Sequence, residues 1–116
     1  MAVVTGTNWN AYDAATMTAR EIYGRTLAEL GKHNDRIVGL TADLAKTTAI
    51  VHFEKAFPER FFNVGIAEQN MFGIAAGLAK AGLIPFASTM ATFTCLRAGE
   101  QVRTDIAYQN LPVKII

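Results

Sequence analysis

The sequence predicts an α/β domain in which a parallel sheet is flanked by helices on both faces. Three observations lead there. Segments with helical periodicity alternate with short apolar runs along the chain. Those runs are continuous rather than alternating, as strands buried on both faces require. The chain has 116 residues, 51% of them hydrophobic and 18% charged, which suits one core with some apolar surface left for a partner.

Taken in order, residues 1–13 are polar, with Gly6, Asn8, Asn10 and the single tryptophan, Trp9. They read as an irregular N-terminal arm that Trp9 and Tyr12 would dock on a neighbour. The domain proper is expected over residues 14–116. Thr18 and Glu21 have the spacing of a capping box, in which each side chain satisfies an orphan amide of the first turn. The same residues also fit inside a longer helix beginning near Ala14. Ile22, Tyr23, Leu27 and Leu30 then form one apolar face, with Gly31 as the C′ stop. "RIVGL" (36–40) is the first strand, followed by the polar loop "TADLAKTT". A second helix spans about 48–57 and ends at Pro58. "RFFNV" (60–64) is the second strand, Gly65 the turn, and 67–81 the third helix, closed by Gly82. "LIPFA" (83–87) is a strand, 92–109 a fourth helix, and "PVKII" (112–116) opens another strand. A buried strand followed by no helix leaves one sheet face uncovered. The chain is therefore expected to be completed by another chain or to be a piece of a larger protein.

Composition narrows the function classes. A net charge of +1 supplies no excess of cations for nucleic acid. The stretch "MAVVTGTNWN" has no basic region or long apolar core of the signal-peptide kind. The longest apolar run is broken by Lys80 and Pro85, whereas a membrane span needs about 20 apolar residues. The single cysteine, Cys95, excludes an internal disulfide and fits a reducing cytosol. A soluble, cytoplasmic protein is expected. Cys95 reads as a small packed hydrophobe, His33 and His52 as isolated surface histidines without metal-ligand spacing, and Glu100 with Arg103 as an exposed ion pair.

In parallel sheets ligands sit beyond the carboxyl ends of the strands. Those ends are the loops around Asp43 to Thr48, Gly65 to Glu68, and Ala87 to Thr92. Glu68 opens the third helix, in a stretch otherwise built from small and apolar residues. The helix dipole stabilises an anion there by roughly 0.3–1 kcal/mol, while burial raises a carboxyl pKa by up to about 3–5 pH units. An acid held between these effects can share a proton with a nitrogen heterocycle; as an ordinary first-turn glutamate it would only help to cap its helix. The small residues Gly73, Ala75, Ala76, Gly77, Ala79 and Ala81 would let another backbone approach that helix closely.

"FFNVGIAEQNMFGIAAGLAKAG" resembles the segment of transketolases that carries their catalytic glutamate. "TAREIYGRTLAELGKHNDRIVGLTADLAKTT", "FPERFFNVGIAEQNM", "PFASTMATF" and "RAGEQVRTDIAYQNLPVKI" follow the same family in order and spacing, over about residues 16–116. The resemblance implies the pyrimidine-binding domain of a thiamine-diphosphate enzyme. In that family the glutamate hydrogen-bonds N1′ of the aminopyrimidine and favours its imino tautomer, which removes the thiazolium C2 proton; by position this is Glu68. Phe93 corresponds to an aromatic face for the pyrimidine ring, and Met90 stands where relatives often have phenylalanine. Arg20 and Thr47, the latter in place of a frequent serine, correspond to the residues that bind the substrate phosphate. Asp43 corresponds to an aspartate near the cofactor and domain contact. Read without the resemblance, Phe93 is core packing, Arg20 a solvated helix residue, and Asp43 or Thr47 a loop cap.

No stretch resembles the diphosphate-binding domain, with its glycine-aspartate-glycine start and downstream asparagine, or the C-terminal domain of the family. The histidine-bearing loop expected after "PVKII" is also missing. The resemblance therefore implies that Mg²⁺ and the diphosphate are held by a partner domain or subunit, in a homo- or hetero-oligomer acting on sugar phosphates. Several readings stay open: half of a split transketolase, a truncated transketolase-like piece inactive by itself, and a non-catalytic α/β interaction module. A piece of a 1-deoxyxylulose-5-phosphate synthase is the alternative chemistry.

Overall fold

The computed structural model describes residues 17–116. The expected arm with Trp9 and Tyr12, and a helix start near Ala14, lie outside the described residues. The elements run α1 (Ala19–His33), β1 (Ile37–Thr41), α2 (Val51–Ala56), β2 (Phe61–Asn63), α3 (Glu68–Lys80), β3 (Ile84–Ser88) and β4 (Lys114–Ile115). A 3₁₀ turn, Pro58–Arg60, leads into β2, and two π-helical stretches, Phe93–Arg97 and Gln101–Ala107, lie between β3 and β4.

The strands are all parallel and lie in the order β2-β1-β3-β4. β1 is central and buried along its length, with Gly39 opposite Phe61 on one side and Phe86 on the other. The strand period of two sends successive side chains to opposite faces. Val38 and Leu40 meet Met71, Phe72, Ala75 and Ala76 of α3 on one face. Ile37 meets Leu27 of α1 with Ile50 and Phe53 on the other. Helices therefore cover both faces, as the apolar strands require. The connection from β1 leads to β2 at one edge and that from β3 to β4 at the other, so the sheet has its switch point between the carboxyl ends of β1 and β3.

Four sequence expectations need correction. Thr18 caps α1 by accepting from the Glu21 amide at 3.3 Å, but the Glu21 side chain bonds Arg25 and His52 instead of closing the box. Gly31 does not stop α1. It lies inside the helix, buried, where a Cβ would stand 2.5 Å from the Phe57 ring and 2.8 Å from that of Phe53. The second helix is shorter than expected, because residues 45–50 form turns and Ala49 has a φ of 61°. The fourth is not one α-helix. Its turns widen to i→i+5 bonds, from Ala98 N to Phe93 O and from Leu111 N to Ile106 O, with Ala98 off the helical region at φ −116°.

Candidate functional site

Three loops converge beyond the switch point. Thr41 Oγ1 donates to Ser88 O at 3.2 Å and accepts from Leu44 N at 3.3 Å, tying the ends of β1 and β3 to the first loop. Asp43 follows with a φ of 61°, a conformation asparagine and aspartate tolerate best among side-chain-bearing residues. Its amide donates to Asn63 Oδ1 at 3.1 Å, and Gly65 N donates to the same oxygen at 3.1 Å. Asn63 thus holds the loop after β1 against the turn that starts α3. Gly65, with a φ of 73°, allows that turn.

Glu68 is the first residue of α3. It is 1% exposed although no side chain caps the helix at Ala67. Its carboxylate lines a cleft of about 370 Å³ with Asp43, Phe93, Ile66 and Arg97. Arg97 Nη1 donates to Oε1 at 3.0 Å and to Oε2 at 2.9 Å. Burial pushes the Glu68 carboxyl pKa up, but the Arg97 hydrogen bonds, the residue's own amide and the Arg97 charge outweigh it and hold the pKa below its ordinary value of 4.5. Phe93 and Arg97 are four residues apart on a π-helical stretch, and the guanidinium carbon lies 4.2 Å from the Phe93 ring centroid. A buried carboxylate and an aromatic face thus line one cleft, and an acceptor beside a flat apolar surface fits a planar nitrogen heterocycle.

A second cleft, of about 470 Å³, lies beside β3 and the start of α1. Arg20, Thr47, Tyr23, Thr89 and Met90 line it. Arg20 Nη1 donates to the Thr47 carbonyl at 3.4 Å, which brings the two expected phosphate ligands together. Tyr23 Oη is 2.5 Å from Ser88 Oγ, and burial pushes the phenol pKa to about 12. Thr89 Oγ1 is buried and has no hydrogen-bond partner among the described residues.

The structure therefore groups Glu68, Phe93 and Asp43 in one cleft and Arg20 with Thr47 in the other. Met90 does not line the cleft of Glu68 and Phe93: two residues past the end of β3, it lines the Arg20 cleft instead. Cys95 is exposed rather than packed. Glu100 accepts from Thr104 Oγ1 at 2.6 Å instead of pairing with Arg103. His52 is part-buried, with Nε2 2.9 Å from Glu21 Oε1. Arg97, Asn63 and Tyr23 were missed as site residues. Only Arg97 had a legible signal, its spacing of four from Phe93 in a helical segment.

The chain is similar to known proteins over most of its length. A protein from Methanocaldococcus jannaschii assigned as a transketolase C-terminal section is 54% identical over 97 residues, 84% of this chain and 31% of the relative. The 1-deoxy-D-xylulose-5-phosphate synthase 1 of Geobacter sulfurreducens is 46% identical over 112 residues, 96% of this chain and 17% of the relative. The chain thus spans about a third or less of these curated relatives. Among solved structures, a split-gene transketolase in an inactive β4 tetramer superposes with a TM-score of 0.76 at 59% identity, covering 83% of this chain and 32% of that one. The transketolase of Campylobacter jejuni shares the fold at a TM-score of 0.72 and 24% identity, covering 83% of this chain and 15% of that one. The family model of the transketolase pyrimidine-binding domain matches residues 15–116, and the chain belongs to that family.

Proposed function

We propose that this chain supplies the pyrimidine-side half of a thiamine-diphosphate enzyme that transfers a two-carbon ketol unit between sugar phosphates. The observation that carries the reading is a 1% exposed carboxylate at the start of α3 sharing one cleft with the Phe93 ring. Thiamine diphosphate, when bound, supplies a thiazolium carbon that can act as a nucleophile. Glu68 would hold a proton at the pyrimidine edge, a general acid–base role exercised on the cofactor. Phe93 would carry the ring face, and Asp43, fixed by Asn63, would border it. In the neighbouring cleft Arg20 would bind the substrate phosphate by its guanidinium fork, with the Thr47 hydroxyl beside it. Met90 belongs to this substrate side in the proposal. Mg²⁺ and the diphosphate would be held by a partner domain or subunit in an oligomer, in keeping with the chain's coverage of only 32% of the split-gene transketolase.

The test is ketol transfer by the full assembly with thiamine diphosphate and Mg²⁺, for wild type and Glu68→Gln. Glu68→Gln is expected to lower the rate by about 10²–10⁴-fold, the usual worth of a positioned acid–base group. Equal rates in the two proteins would overturn the role of Glu68. The 46% identity to a 1-deoxy-D-xylulose-5-phosphate synthase over 96% of this chain favours a second reading. Formation of deoxyxylulose phosphate in place of ketol transfer would select it, with Glu68 in the same role.

A further inference from the structure

In the cleft that holds Glu68 and Phe93, both groups are already engaged by a residue of the same chain. Arg97 Nη1 reaches both Glu68 oxygens, at 3.0 and 2.9 Å, and its guanidinium carbon lies 4.2 Å from the centroid of the Phe93 ring. A guanidinium is planar, cationic and edged with N–H donors, so one group satisfies an anionic acceptor and an aromatic face together. An aminopyrimidine is also planar and edged with nitrogen, and the reading above gives it these same two contacts. The carboxylate and the ring face cannot serve both occupants. We infer that Arg97 is an internal stand-in for the pyrimidine ring and that the cofactor binds by displacing it. The inference rests on the reading of the cleft proposed above.

The surroundings suit a side chain that moves while its backbone stays. The Arg97 side chain is 47% exposed and that of Glu68 1%. Swinging outward returns the guanidinium to water, and the incoming ring then covers the carboxylate that was left. Gln69 Nε2 donates to the Arg97 carbonyl at 3.0 Å and anchors the backbone to the first turn of α3. The π-helical winding of Phe93–Arg97, a geometry that recurs at functional sites, sets the guanidinium over the ring of its own helix. A permanent clamp would behave differently: it would stay on one oxygen of Glu68 and support the ring rather than compete with it.

Calorimetric titration of thiamine diphosphate with Mg²⁺ separates the two roles. The titrated protein is the full assembly with its diphosphate-binding partner, as wild type, Arg97→Ala, Arg97→Lys, Glu68→Ala and the Glu68→Ala/Arg97→Ala double variant. Loss of a charged hydrogen bond that competes with the ligand predicts about tenfold tighter binding for Arg97→Ala. Arg97→Lys falls between wild type and Arg97→Ala, because it keeps the charge and loses the planar face. In the Glu68→Ala background, Arg97→Ala brings no such gain. Should Arg97→Ala fail to assemble, Arg97→Lys carries the same comparison. Equal or weaker binding by the Arg97 variants, with Glu68→Ala weakened, overturns the inference and makes Arg97 a clamp. Glu68→Ala binding like wild type, or no binding by any of these proteins, removes the reading of the cleft and the inference with it.

Discussion

Burial by itself drives the Glu68 carboxyl toward neutrality, and the Arg97 hydrogen bonds reverse that tendency, with the residue's own amide acting in the same direction. The folded-state pKa therefore lies below the ordinary 4.5. A depressed carboxylate pKa contributes stability that is present above the unfolded value and lost as pH falls through the folded one. Denaturant midpoints of the wild type are expected to fall as the pH drops below about 4.5, and Glu68→Gln to flatten part of that fall. Glu21 and Glu29 are depressed as well, chiefly by Arg25 and Lys32 hydrogen bonds set against desolvation, so the difference between the two curves isolates Glu68. Parallel curves would mean that the pair with Arg97 does not control this carboxyl. Glu68 and Phe93 were singled out in the sequence by the family segments they stand in, because local company alone also fits a helix-capping glutamate and a core phenylalanine. The Arg97 contact was not, since it joins residues 29 positions apart and depends on how the fourth helical segment winds.

Glycines decide how the helices approach the sheet and each other. A Cβ at Gly24 would run into the Ala49 carbonyl, and one at Gly39 would stand 2.9 Å from the Phe53 ring. At Gly73 and Gly77, on the exposed side of α3, a Cβ would meet nothing within 4 Å, while Ala75, Ala76 and Ala79 are buried. Urea unfolding should separate these two kinds of position. Gly24→Ala is expected to cost about 1–3 kcal/mol through overpacking against backbone that cannot yield. Gly77→Ala should gain roughly 0.5–1 kcal/mol from helix propensity alone. A loss at Gly77 as large as that at Gly24 would show that the open side of α3 is covered in the folded assembly. At this scale the strands and α3 were readable, because continuous apolar runs and small-residue helices announce themselves by period. Gly31 was misread for a physical reason: a glycine in a helical pattern can end the helix or admit a neighbour, and only packing tells which. No proline stands within residues 93–109 to mark the slip from i→i+4 to i→i+5 bonds after Phe93, so a single helix over 92–109 was the natural expectation.

At the scale of the molecule, both clefts open at the carboxyl edge of the sheet. Ile66 is 76% exposed on the rim of the Glu68 cleft, and Leu96, next to Arg97, is 85% exposed. Large apolar side chains left in water beside a polar cleft suit contact with a second protein surface. The proposed function needs that surface for another reason, because a ring contact without a diphosphate contact leaves most of the cofactor's charge unmatched. A ligand that binds the native state stabilises it by RT ln(1 + [L]/Kd), about 2.7 kcal/mol at a hundredfold excess over Kd. Thiamine diphosphate with Mg²⁺ is therefore expected to raise the thermal midpoint of the assembly and to leave that of this chain alone unchanged. Chelating the metal should abolish the rise, since the diphosphate would lose the cation that neutralises its charge in the proposed assembly. An equal rise with this chain alone would locate a diphosphate site within it and remove the need for the partner. A rise in the assembly that survives chelation would show instead that the ring contacts of Glu68 and Phe93 carry the affinity.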